Sequence, residues 1–407
     1  MTRTALLSLL ATSLLAQAPN PAFRTWTSTD GRKVEATLLA TDGTSVSIKL
    51  RDGKVFSLPL DRLSAEDQAF AKAQISTAAP GAVSSSTASA EKTWPRGVAL
   101  DEPPEPKTIT EDAAKKEFVY RSEHYEFRCD SKLGGNVVRE FSRIFESTWL
   151  LNCKLPLDLK PKPEPLREFF VCQLYTNKED YLREGGIEGS AGIYMSAKKS
   201  IQVPLSSLGV KMVGSRVSLE KSGDDDNATL IHEITHQMMN HWLGKIRTWY
   251  AEGSAECVEM LEYQRGRFSL VGLKNRLQNY LQRMGSDGKN FTMLDPQELF
   301  TIDFRAWAAA LGGTGRQATQ NYASACLATY YFYYLDGAGD AANMIAYLRA
   351  IEDSRDDAVE EAAFQKHLIR GRSMDQLKDD MKKAFRKEGV SLSFEAMGKN
   401  GAVSNAQ

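Results

Sequence analysis

An α+β fold in two unequal parts is what this 407-residue sequence predicts. Three observations predict it. Residues 23–74 alternate apolar and polar side chains between Asp-Gly pairs, a stripe of helical period surrounds His232, and nearly everything after it keeps helical spacing. A hydrophobic content of 42% supports a sizeable core, and the length allows two domains. The net charge is −1 and the pI about 6.6, which removes the electrostatic case for nucleic acid or an anionic membrane surface as partner.

Arg3 precedes an apolar run from Ala5 to Leu15, and Ala16-Gln17-Ala18 supplies a small-x-small cleavage site. Residues 1–18 therefore read as a secretory signal peptide, too short for a membrane span. No cysteine lies near the cleavage site, so no lipid anchor is expected, and no other stretch reaches transmembrane length. The expected location is periplasmic or extracellular, where disulfides are permitted. The five cysteines form no C-x-x-C pair. Cys129 and Cys172 end two strand-like runs and are candidates to pair; at least one of the five stays free or bonds elsewhere.

Residues 22–75 read as a small β module followed by one helix. Val34, Ala36 and Leu38 alternate with polar residues, as do Val46, Ile48 and Leu50, and residues 55–60 make another strand. Asp42-Gly43 and Asp52-Gly53 suit tight hairpin turns. Ser64 and Asp67 begin a helix with a capping-box-like start. Trp26-Thr27-Ser28, Asp30-Gly31-Arg32, Leu60-Asp61-Arg62-Leu63-Ser64 and Asp67-Gln68 together resemble the homology-1 domain of the Sla endocytic adaptor, an SH3-like barrel. In the adaptor that domain binds short peptide motifs; here a peptide ligand and a plain spacer or docking role both stay open. Residues 76–115, rich in Ala, Ser, Thr and Pro, read as a flexible linker.

The second domain is expected over 116–395, with 396–407 as a tail. Residues 125–129 and 169–175 read as strands, with an amphipathic helix between them carrying Val137, Val138, Phe141, Ile144 and Phe145. A helix begins near Asn177, and the segments 192–195 and 200–204 follow it. In Leu230-Ile231-His232-Glu233-Ile234-Thr235-His236 the two histidines are four apart, so on a helix both imidazoles face one ion. Glu233 lies at the edge of that face, where it can hold a water on the metal. Asp224 to Asn227 offer N-caps, Ile231, Ile234, Met238 and Trp242 give the apolar stripe, and Gly244 is the expected stop. Fifteen residues separate His236 from Glu252, which opens a second helix near Tyr250 and is the expected third ligand of a zinc ion. Glu256, one turn on, is placed to receive the free ring N–H of a ligating histidine.

H-E-x-x-H, that gap and then Glu252-Gly253-Ser254-Ala255-Glu256 resemble the gluzincin metallopeptidases, the group of thermolysin and the neutral aminopeptidases. The phrase from Trp249 to Glu256 is similar to peptidase-MA-like bacterial proteins. The resemblance implies a small mixed sheet beside a helical lobe, with Tyr322 in Asn321-Tyr322-Ala323-Ser324-Ala325 as the tyrosine that stabilises the transition state. It also implies a sheet edge at Ile193 and Tyr194 that takes up substrate backbone by strand addition. The acid with which aminopeptidases hold a free amine is missing there, which disfavours an exopeptidase.

After residue 260 the helices read as packing. The run from Tyr330 to Leu335 is core, Met344 to Ile351 is amphipathic, Lys378 to Lys387 is a charged solvated face, and His124, His241 and His367 are structural or exposed. The expected function is an exported zinc endopeptidase acting on peptides or proteins, with Glu233 as general base and Tyr322 donating to the oxyanion. The alternatives are a catalytically silent zinc-containing envelope scaffold that works through its N-terminal barrel, and a zinc hydrolase of a cell-wall amide.

Overall fold

The computed structural model describes residues 23–41, 45–51, 55–76, 93–188, 190, 192–208, 210–213, 216–219, 227–311 and 315–397. The expected signal peptide, the Asp-Gly turns, the Asp224 to Asp226 run, positions 77–92 of the linker and positions 398–407 of the tail lie outside the described residues. The chain divides into two compact units, Met1–Ser89 and Ala90–Gln407, of mixed helix and strand.

In the first unit four strands, β1 (Arg24–Thr27), β2 (Lys33–Thr41), β3 (Ser45–Leu50) and β4 (Val55–Pro59), form an antiparallel sheet in sequential order. A 3-10 turn and the helix α1 (Ala65–Ser76) follow. The alternation works as the pleat requires: Ala36, Val46 and Ile48 point inward and bury with Trp26, Leu60 and Leu63. A bridge from Ser28 to Leu63, flanked by bonds from Thr29 N to Arg62 O and from Ser64 N to Thr27 O, ties β1 to the segment after β4. Ser64 Oγ accepts from the Asp67 N–H at 3.3 Å and donates to the Asp67 carboxylate at 2.9 Å, while the Ser64 N–H, which a capping box would give to that carboxylate, goes to Thr27 O. The carboxylate also accepts from Arg24 at 2.6 Å and from the Thr27 N–H at 2.7 Å, so a buried acid fastens the helix to β1.

The second unit starts earlier than its composition suggests. Within the expected linker, β5 (Gly97–Ala99) and β6 (Lys107–Asp112) are strands. Val98 is buried and faces Phe268 across the ladder, and Trp94 just before it packs on Tyr333 and Tyr334 with ring centroids 5.4 Å and 4.4 Å apart, so two apolar anchors order this stretch. Gly97 crosses so close that an added Cβ would lie 2.9 Å from the Phe268 carbonyl oxygen. Pro103, Pro104 and Pro106, which cannot donate to a ladder, fall between these strands and outside both.

Next come β7 (Glu117–Arg121), β8 (Tyr125–Cys129), α2 (Gly135–Lys154), β9 (Phe170–Tyr175), α3 (Lys178–Arg183), β10 (Ile193–Met195) and β11 (Ser200–Pro204). They build a six-stranded mixed sheet in the order β10-β11-β9-β8-β7-β6, with β9 parallel to both of its neighbours and the other pairs antiparallel. Central β9 is buried on both faces, as a near-continuous apolar run requires. On α2 the residues Val137, Val138, Phe141, Ile144 and Phe145 bury as the helical period predicts. Asn177 caps α3 through the Glu179 N–H.

A hairpin of β12 (Val210–Val213) and β13 (Arg216–Leu219) precedes the two helices that matter for the site, α4 (Ala228–Met238) and α5 (Thr248–Glu259). Helix α4 ends at Met238 and does not run on to Gly244. Asn240 and Trp242 pull the chain away from the helix axis, donating to Lys162 O at 3.3 Å and Leu159 O at 3.0 Å, and Gly244 (φ 88°) serves the following turn. The rest comprises β14 (Glu262–Gln264) and β15 (Arg267–Ser269), paired with β5, then α6 (Leu273–Arg283), β16 (Asn290–Leu294), α7 (Pro296–Leu299), α8 (Phe304–Leu311), α9 (Gly315–Tyr330), α10 (Ala342–Ile351), α11 (Asp357–Ala363), α12 (Met374–Lys387) and β17 (Ser391–Glu395). The aromatic run continues α9 as a π-helical turn over 331–335, and Tyr331, Phe332 and Tyr333 bury in the core. Helix α12 is less solvated than a charged face suggests, because Leu377, Met381 and Phe385 bury along it at helical spacing. Strand β17 pairs in parallel with β16, and Met397 beyond it still packs on the core and donates its N–H to Glu298.

The expected pairing of Cys129 with Cys172 does not occur. Across β8 and β9 the register sets Cys172 opposite Phe127 and Cys129 opposite Leu174, so the two thiols are out of step. Burial pushes the Cys129 thiol up to about 12 and raises those of Cys172 and Cys326 well above the usual range. Iodoacetamide at neutral pH should therefore alkylate half-buried Cys153 and spare Cys129, Cys172, Cys257 and Cys326 until the chain unfolds. Mass spectrometry of tryptic peptides reads this directly, and rapid native labelling of Cys172 would contradict the packing of β9.

Candidate metal centre

Helices α4 and α5 pack side by side, and α5 packs in turn on α9. Ile231, Ile234 and Met238 bury on α4, and Gln237 donates to Val171 O on β9 at 2.9 Å, fixing the rotation of the helix. That rotation turns His232 and His236 toward α5. Gly253 lets α5 and α9 approach backbone to backbone, since a Cβ there would overlap the Ala325 carbonyl and the Thr329 hydroxyl.

The three ligands expected from the sequence converge. His232 Nε2 lies 3.1 Å from His236 Nε2, and each lies 3.5 Å from Glu252 Oε2. A tetrahedron with metal–ligand bonds of about 2.0–2.1 Å has edges of about 3.3–3.4 Å, so this triangle has the size of one tetrahedral face. All three side chains are largely buried. The donor set, two imidazoles and one carboxylate, is that of a site which keeps an open fourth position.

The charges also suit a cation. Burial alone would raise the Glu252 carboxyl, but the charge of His236 and hydrogen bonds from both histidines bring it far below the usual carboxylate range. Burial opposes charge on His232, yet hydrogen bonds to Glu252 and Glu259 and the charge of Glu256 raise its pKa well above normal. The carboxylates that favour a proton there equally favour a divalent ion in its place.

Glu233 faces the site from α4. Its carboxylate accepts from the Tyr194 backbone N–H at 2.7 Å, and burial raises its pKa. Tyr194 belongs to β10, which among the described residues borders only β11 and is an edge of the six-stranded sheet, as expected for Ile193 and Tyr194. The anchoring of Glu233 by that edge was not foreseeable, because the donor is a backbone group. Tyr322 on α9 stands edge-on to His232, with ring centroids 6.1 Å apart, and edge-on to Trp307 at 5.2 Å. Burial and the charge of Glu252 push its phenol up to about 12, which keeps it a hydrogen-bond donor at neutral pH.

Glu256 departs in part from expectation. Its Oε1 lies 3.4 Å from His232 Nδ1, but Glu259 Oε2 is closer, at 3.1 Å, and Glu256 Oε2 is taken by the Tyr280 hydroxyl at 2.6 Å. Neither Glu259 nor Tyr280 was singled out in the sequence. The spacing of Glu252, Glu256 and Glu259, which puts three acids on one helical face, was the available signal for the first. His232 Nδ1, Glu256 and Glu259 lie close enough to form a second metal-binding group on paper. His232 belongs to both groups, and in the second set Glu256 is already bonded to a buried tyrosine.

Of the remaining histidines, His367 is part-exposed and the other two pack against neighbours. His124 bonds to buried Glu146 at 2.7 Å and stacks on Trp149, and His241 stacks on Trp242. A cleft of about 860 Å³ bordered by Pro103, His124, Trp149 and Phe169 contains none of the groups of the metal centre. Compared with protein-family models and with curated proteins, the sequence matches none. Among the described residues no helix is long and apolar enough to cross a membrane.

Proposed function

We propose that the chain is a zinc-dependent endopeptidase of the gluzincin kind, exported by the apolar leader at its N-terminus. The observation that carries this reading is the donor triangle of His232, His236 and Glu252 with the carboxylate of Glu233 beside it. Zinc held by those three side chains supplies Lewis acidity, polarising a carbonyl and acidifying water. Glu233, held by the Tyr194 N–H, accepts the proton of the attacking water and passes it to the leaving amine. Tyr322, protonated and partly buried, donates to the oxygen on which negative charge develops. The edge strand β10, whose Tyr194 N–H Glu233 already takes, leaves its other outward backbone groups to an extended peptide, which favours a peptide over a compact substrate. For the first unit we propose an SH3-like barrel, supported by the closure of β1 onto residues 62–64.

Metal analysis and a peptide-library digest test the reading together. One equivalent of zinc per chain is expected, with cleavage at internal bonds lost on chelation and restored by zinc. A chain that takes up no zinc overturns it, and a zinc-loaded chain that cleaves nothing leaves the silent scaffold in its place. Tyr322→Phe should lower kcat by roughly 10²-fold, the scale of one oxyanion donor, with zinc content unchanged. Equal turnover would move the oxyanion role to another group.

A further inference from the structure

We propose that Glu259, and not Glu256, is the positioning residue that holds the His232 imidazole for the metal; the proposal rests on the zinc reading above. His232 can present only one hydrogen at Nδ1 when Nε2 faces the ion, so two acids on one helix compete for it. Distance favours Glu259, at 3.1 Å against 3.4 Å for Glu256. The second argument comes from Glu256 itself. It is buried, and its other oxygen accepts from the fully buried Tyr280 hydroxyl at 2.6 Å. A buried carboxylate requires such a partner, and Tyr280 on α6 keeps Glu256 turned toward it. Glu259 has no competing donor of that kind among the described hydrogen bonds, and it lies at the last residue of α5, where its side chain reaches back over one turn to His232.

A hydrogen bond from the far ring nitrogen fixes which nitrogen carries the proton, orients the ring and raises its basicity toward a metal. The roles of the two acids then separate. Glu259 orients the ligand, and Glu256 with Tyr280 joins α5 to α6.

The test compares zinc affinity in the full chain, by competition with a chromophoric chelator, for wild type, Glu259→Ala, Glu259→Gln and Glu256→Gln. Glu259→Ala should weaken zinc binding by about 10–100-fold. Glu259→Gln should recover part of that loss, because an amide oxygen still accepts the ring N–H without the charge. Glu256→Gln should cost less than Glu259→Ala. In the zinc-loaded wild type the His232 Nδ1 proton should exchange slowly with solvent by nitrogen-edited NMR, and Glu259→Ala should speed that exchange. Wild-type affinity in both Glu259 variants, or a larger loss in Glu256→Gln, overturns the proposal. Should wild type itself bind no zinc, the metal reading falls first; zinc-binding wild type with unaffected Glu259 variants sinks this proposal alone.

Discussion

Glu233→Gln should keep its zinc and lose peptide hydrolysis by about 10²–10⁴-fold, the range that a positioned general base contributes. The substitution is unusually clean here. The Tyr194 N–H that holds Glu233 at 2.7 Å needs only an acceptor, and a glutamine oxygen supplies one. The ring triangle that would hold the metal does not include Glu233, so zinc content and unfolding temperature should stay at wild-type values. What disappears is the ability to accept a proton. The loss should therefore fall on kcat, with KM nearly unchanged. Wild-type cleavage by the variant, with zinc in place, would remove Glu233 from the mechanism. A variant that loses both zinc and activity would mean that the carboxylate is a structural part of the metal centre.

The candidate ligands were legible because helical period is a local property. His232 and His236 share a face whatever they pack against, and the fall of α4 onto the sheet only chose the direction of that face. Glu252 was legible for a related reason, since an acid opening the next helix is within reach of the first. What the sequence hid were relations between elements. The distance from Glu259 to His232 depends on how α5 lies against α4, and the bond from Tyr280 to Glu256 brings in a third helix. The Tyr194 N–H carries no residue-type signal at all. The strands at 97–99 and 107–112 were missed because composition averages over a window, and the anchors Trp94 and Val98 are diluted by the prolines and acids from Asp101 to Pro106. Cys129 and Cys172 were misjudged because pairing needs strand register, which alternation alone does not fix. The end of α4 was misplaced because tertiary bonds from Asn240 and Trp242 overrode a glycine stop signal.

Gly253→Ala should be among the most damaging single-methyl changes in the chain, although it touches no metal ligand. The added Cβ would overlap the Ala325 carbonyl and the Thr329 hydroxyl and lie 2.6 Å from the Ala325 carbonyl carbon. Those are mostly backbone atoms of α9, so no rotamer change relieves the clash and the two helices must separate. Overpacking of this kind costs about 1–3 kcal/mol, and a backbone obstacle puts it at or above the upper end. A fall of roughly 5 °C in melting temperature is expected for a unit of this size. The site should feel the same shift. Glu252, Glu256 and Glu259 all ride on α5, while His232 and His236 ride on α4, so moving α5 opens the 3.5 Å separations of the donor triangle. Zinc affinity should therefore fall together with stability, unlike Glu233→Gln, in which neither moves. Thermal unfolding with and without zinc separates the two contributions. A variant that melts like wild type would mean that α5 and α9 are not in backbone contact at Gly253, and the helix pair that presents Glu252 would need to be placed differently.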